Sequence, residues 1–123
     1  MDTLTVRIPA APQYLHVVRL VAAGLASRMR FTIDDIEDLK IAVDELAAYV
    51  TGSQGRDGIL EIKFVVGDDR IQIQGTGKFD GAVKIRTDLT EFSRQLLTTV
   101  ADEAWLQQEN GTARFGLVKT RQS

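Results

Sequence analysis

Glu45 is the residue best placed to do chemistry in this chain. It belongs to a line, Asp38, Ala42, Glu45 and Tyr49, whose spacings of three and four put it along one edge of a helix. A carboxylate there, between a small residue and an aromatic, is a proton or hydrogen-bond acceptor at the margin of a buried face. A helix needing only a core and a surface has no use for such an edge, yet it can also arise by chance, and periodicity leaves both readings open. Gly75-Thr76-Gly77 follows an alternating segment. A Gly-x-Gly in that position can cradle phosphate, although a lone one more often marks a bend. His16 is the only histidine and there is no cysteine, so no metal site is expected and thiol catalysis, thiolate zinc and disulfides are excluded. Arg19 lies off the apolar stripe of its helix, the ordinary position of a solvated arginine.

The helix that carries Glu45 is predicted over Ile33–Val50. Ile36, Leu39, Val43, Leu46 and Val50 form its buried stripe. Thr32 is the expected N-cap, and Asp34, Asp35 and Glu37 fall in the first turn where the helix dipole favours anions. Glu37, Lys40 and Asp44 are assigned to the solvated side. Before it, Thr3–Ile8 alternates as a half-buried strand closed by Pro9 and Pro12. A first helix from Gln13 to about Arg30 buries Leu15, Val18, Ala22 and Leu25.

After the central helix comes the loop TGSQGRDG, then strands Ile59–Val66 and Arg70–Gln74 joined by Gly67-Asp68-Asp69. A third helix is predicted over Asp88–Ala101, capped by Asp88, with Leu89, Phe92, Leu96 and Val100 as its stripe. Glu103–Gln108 and Thr112–Lys119 close the chain as a hairpin turning at Asn110-Gly111, with Trp105 expected in the core or at its rim and TRQS as a frayed tail. The order β-α-α-β-β-α-β-β implies an α+β fold, a two-layer α/β sandwich with helices on one face of a mostly antiparallel sheet.

A chain of 123 residues is read as one domain spanning 1–123. Its 44% apolar and 26% charged content is that of a soluble globular protein. A net charge of -2 with no basic run argues against nucleic acid and an anionic membrane as partners. No segment reaches the length of a membrane span, and the N-terminus alternates like a strand instead of showing a secretory layout. A cytoplasmic location is expected.

RIPA, then PQYLHVVRLVAAGLASR, then FTIDDIEDLKIAVDE resembles the opening of the anti-sigma factor serine kinases, which carry the histidine-kinase-like (GHKL) ATPase fold. The likeness is strongest up to Glu45 and continues in register beyond it. It implies that Glu45 stands where the family has a general base or water-positioner. It also puts Tyr49 where the family has an asparagine that holds the Mg²⁺ of ATP. A phenol is a poor ligand for Mg²⁺, which takes compact oxygen donors. The family's Asp-x-Gly-x-(Gly or Ser)-Phe-Asp, whose first Asp recognises adenine, aligns through Phe79-Asp80 and puts Gln74 at that Asp. A one-residue slide brings Gly75 into the motif, and neither register supplies the carboxylate. The family's lid, with its Gly-x-Gly-Leu motif, is reduced here to GAVKIRTDLT.

The resemblance therefore implies a degenerate nucleotide site made of Tyr49, Gln74, Gly75 and Gly77, with no cofactor expected. The protein would act as an anti-sigma-factor-like regulator that binds a sigma factor, a STAS-domain antagonist or both by partner switching. In the family an Arg in the first helix contacts both partners, which points to Arg19, with His16 beside it. A homodimer is an assembly the resemblance allows. The alternative is an active serine kinase using ATP, Mg²⁺ and Glu45 on a STAS-domain antagonist. A third reading, an interaction or dimerisation domain unrelated to sigma factors, also stays open.

Overall fold

A computed structural model of the chain describes residues 1–122. Strand β1 (Asp2–Pro9) leads through a 3-10 turn at Pro12–Tyr14 into helix α1 (Leu15–Arg28). Helix α2 (Ile33–Thr51) follows, then strands β2 (Gly58–Val66) and β3 (Arg70–Phe79), helix α3 (Glu91–Val100), and strands β4 (Glu103–Glu109) and β5 (Thr112–Thr120). The strands form one sheet in the order β1-β2-β3-β5-β4, and each neighbouring pair is antiparallel. The fold is α+β with its helices on one face of the sheet, the architecture expected from the pattern of elements.

Alternation along the strands decides what faces the helices. Leu60, Ile62 and Phe64 of β2, Ile71 and Ile73 of β3, and Ala113, Phe115 and Leu117 of β5 are buried. They meet Val18, Ala22 and Ala26 of α1 and Leu39, Val43, Leu46, Ala47 and Val50 of α2 in one core. Burying side chains of this size stabilises by about 1.5–3 kcal/mol each, which is why the stripe of α2 dominates the helix layer. Thr32 caps α2 as its sequence indicates, its hydroxyl accepting from Asp35 N at 3.1 Å. Asn110 and Gly111 both have positive φ (52° and 82°), the geometry of a two-residue hairpin turn.

Several expectations are corrected. The first helix begins as a 3-10 turn at Pro12, because proline fixes φ without donating a hydrogen bond. Strand β3 runs on to Phe79, so Gly75 and Gly77 lie inside a paired strand and not in a loop beyond it. Helix α3 starts at Glu91 and is capped by Thr90, whose hydroxyl accepts from Ser93 N at 3.1 Å; Asp88 is not the cap. Its buried line is Ser93, Leu97 and Val100, and Phe92 is 73% exposed. Trp105 is partly exposed on the sheet face away from the helices, where its indole lies over Gly116. The tail is tied down at Arg121, whose Nη1 donates to Met29 O (2.9 Å) and whose N donates to Asp69 O (2.6 Å). Ser123, also assigned to the frayed end, lies outside the described residues.

Candidate functional site

Glu45 and Tyr49 sit one turn apart on α2, along the edge that faces α3. The first turn of α3 meets them. Ser93, 4% exposed, donates its hydroxyl proton to Glu45 Oε2 at 2.5 Å. The Tyr49 hydroxyl donates to Ser93 Oγ at 2.9 Å and accepts from Thr90 N at 3.1 Å. Thr90 Oγ1 donates to Ser93 Oγ at 3.0 Å while accepting from Ser93 N. Every hydroxyl in this cluster therefore has a donor role and an acceptor role filled. Burial pushes the Tyr49 phenol up, and the Glu45 carboxylate adds to that. The hydrogen bonds with Ser93 and Thr90 outweigh both and hold it below the ordinary tyrosine range.

Beside the cluster is a pocket of about 430 Å³ whose walls include Pro12, Leu15, Ala48, Tyr49 and Gly52, with Glu45 and Arg86 as its charged members. Arg86 Nε donates to Asp88 O at 3.2 Å. One guanidinium and one carboxylate, on mostly apolar walls, do not match the charge of a triphosphate. Mg²⁺ fares no better: the Tyr49 oxygen is engaged by α3, and no cluster of three acidic, His or Cys residues able to hold a metal exists among the described residues. The residues present do not fit Mg-ATP.

The other residues expected at a nucleotide site are not brought together with Glu45. On β3 the helix-facing positions are Ile71, Ile73, Gly75 and Gly77, while Gln72, Gln74, Thr76 and Lys78 face the opposite side. Gln74 thus points away from the Glu45 layer and cannot reach a ligand bound there. Gly75 lies under the Phe115 ring, which a Cβ would overlap. A Cβ on Gly77 would stand 2.5 Å from Phe79 Cζ and 3.1 Å from Val50 Cγ1. Both glycines are explained by close packing, although Gly77 also lines a separate cleft of about 520 Å³ with Phe79, Val83, Asn110 and Arg114.

Arg19 and His16 are brought together, in company the sequence did not indicate. Arg19 Nη1 bonds Asp44 Oδ2 of α2 at 2.7 Å, and Nη2 lies 3.4 Å from His16 Nδ1. Arg19 is therefore pinned between α1 and α2 and not free in solvent, and Asp44 is its partner instead of a wholly solvated residue. Val17 and Leu20 flank it on α1, at 40% and 59% exposure. Sequence reasoning missed Ser93, Thr90 and Asp44. Of these, Thr90 carries a legible signal, because a Thr three residues before the first buried position of a helix is an ordinary cap.

The sheet, the helix layer and the carboxylate-bearing α2 define a histidine-kinase-like ATPase fold. No protein-family model matches the chain. It is 32% identical over a 133-residue alignment to the serine-protein kinase RsbW of Bacillus pumilus, covering 90% of this chain and 82% of that protein. It is 40% identical over 75 residues to RsbW of Bacillus subtilis, a match that spans 58% of this chain and 47% of that protein. A solved structure of the RsbU and RsbW domains of a Mycobacterium tuberculosis protein superposes with a TM-score of 0.67 at 13% identity. That superposition covers 98% of this chain and 33% of the longer polypeptide, and it speaks to the fold alone. The chain belongs to the RsbW serine-protein kinase family.

Proposed function

We propose that this chain is a partner-switching regulator that binds a sigma factor, a STAS-domain antagonist or both, through the outer face of α1 and its junction with α2. The carrying observation is Arg19, held by Asp44 at 2.7 Å between exposed Val17 and Leu20. A guanidinium fixed before binding loses little freedom on docking, and Arg beside apolar neighbours is the composition of an interface hot spot. Membership of the RsbW family supplies the class of partner. The whole chain would act as one histidine-kinase-like domain with a reduced lid, in the cytoplasm where sigma factors work; no described helix is long and apolar enough to cross a membrane. Nucleotide chemistry is weak or lost in this reading, since Tyr49 replaces the metal ligand and its hydroxyl is engaged.

Calorimetry of the chain with a sigma factor or antagonist encoded beside it tests the proposal. Arg19→Ala should weaken binding by about 2 kcal/mol, or roughly thirtyfold. The pair with Asp44 is about a third exposed on both sides, so the same change should alter stability by less than about 1 kcal/mol. Unchanged affinity would move the interface elsewhere. The serine-kinase alternative has Glu45 in its favour: phosphotransfer to the antagonist that Glu45→Gln abolishes would establish it.

A further inference from the structure

We propose that the first turn of α3 closes the nucleotide site from within, and that Ser93 and Tyr49 are the residues that exclude Mg-ATP. This deepens the reading of a regulator without nucleotide chemistry and rests on it. Tyr49 alone, as a poor metal ligand, would leave a site that lacks a cation but is still open. The structure shows a stronger obstacle. The free N–H groups at a helix N-terminus are where an anion binds, since the aligned backbone dipoles favour negative charge there. Two of the four such groups in α3 are committed, the Thr90 N–H to the Tyr49 phenol and the Ser93 N–H to Thr90 Oγ1. Glu45 Oε2 is taken by the Ser93 hydroxyl at 2.5 Å.

These contacts are mutually dependent. Ser93 Oγ accepts from Tyr49 and Thr90 and donates to Glu45, so no member can turn toward a ligand without unsatisfying another. A triphosphate that used the Thr90 and Ser93 amides would first have to break the cluster. It would then sit against a bared Glu45 carboxylate, with Arg86 as the pocket's only cation. Ser93 also occupies Glu45 Oε2, one of the two oxygens through which the carboxylate could take a proton from a partner's serine hydroxyl. The polar edge of α2 is therefore engaged by the chain's own side chains, beside a pocket with mostly apolar walls. Thr90, the cap, bonds the backbone of its own helix, whereas Ser93 reaches across to Glu45.

The test removes both plugs in this chain. Tyr49→Asn with Ser93→Gly should bind Mg-ATP at least tenfold more tightly than the wild type in a calorimetric titration, with Ser93→Thr, which keeps the hydroxyl, remaining like wild type. A folded double variant that binds no better than wild type overturns the proposal, and so does tight Mg-ATP binding by the wild type itself. Should the double variant not fold, amide hydrogen exchange on the wild type decides: protected Thr90 and Ser93 amides that Mg-ATP leaves unchanged are expected. Exchange at unprotected rates, or protection gained on adding Mg-ATP, overturns the closure. Partner affinity measured through Arg19 is a separate readout. Its failure would remove the proposed function while leaving the closed site standing.

Discussion

Ser93 Oγ has one proton to donate and gives it to Glu45, while the Tyr49 and Thr90 hydroxyls both donate back to it. Removing that oxygen therefore acts on three side chains at once. Ser93→Ala leaves the Glu45 carboxylate without its donor and the Tyr49 and Thr90 hydroxyls without their acceptor, a loss of about 1–3 kcal/mol for polar groups that are largely buried. It also takes away the leading contact that lowers the Tyr49 phenol, so Tyr49 should ionise at higher pH in Ser93→Ala than in the wild type. Phenolate absorbance, read against Tyr49→Phe, follows this directly. Because the folded phenol sits below the unfolded tyrosine value, its ionisation adds stability above the ordinary tyrosine range. That contribution disappears as pH falls through the folded value and is absent at neutrality. An unmoved titration in Ser93→Ala would mean that Tyr49 does not feel Ser93. The edge carrying Glu45 and Tyr49 was legible from helical spacing, but Ser93 was not. Its separation of 48 residues from Glu45 leaves no trace in local periodicity.

Strand β3 and helix α3 show how single elements mislead when read by composition. The sequence places Gly75 and Gly77 beyond a strand ending at Gln74, because glycine lacks strand propensity. The ladder nonetheless continues, Gly75 pairing with Ile62 and Phe115, and Gly77 with Leu60 and Ala113. Their missing side chains make room for the Phe115 and Phe79 rings, a demand set by residues distant in the chain. In α3 the apolar template pulled Phe92 into the stripe, whereas the buried position is a serine whose polarity is satisfied by Glu45. The packing role of Gly75 has a definite consequence. Phe115 is fully buried and cannot swing clear, so Gly75→Ala overpacks the core by about 2 kcal/mol. The melting temperature should fall by on the order of 10 °C. A phosphate-cradling Gly75 would instead leave the melting temperature unchanged on substitution, and thermal denaturation separates the two.

Helix and sheet layers are joined by apolar burial and, among other polar contacts, by an ion-pair cluster. Lys119 of β5, with its side chain 9% exposed, sits 3.6 Å from Asp35 Oδ1 and 3.6 Å from Asp38 Oδ2 of α2. The layers and their order were legible because periodicity and turn residues fix them, and this tie was not, since Lys119 continues a strand and Asp35 reads as an ordinary first-turn acid. At an effective dielectric near 20, each contact at this distance is worth about 4–5 kcal/mol of attraction. Desolvating the three charges costs several kcal/mol per ion, so the intact cluster adds little net stability. Its geometry supports that reading: neither contact is short enough for a hydrogen bond, and Asp35 Oδ2 has no hydrogen-bond partner among the described residues. Breaking the cluster is a different matter. Lys119→Ala leaves the Asp35 carboxylate buried with only the α2 N-terminus to compensate it, and should destabilise the fold by about 3 kcal/mol. Asp35→Asn combined with Lys119→Met removes the two buried charges, keeps the volume and leaves the more exposed Asp38 to solvent, and should lie within about 1 kcal/mol of wild type. Urea denaturation of the two variants decides the matter. A Lys119→Ala chain as stable as the wild type would show that solvent reaches Asp35 and that apolar burial alone holds the layers together.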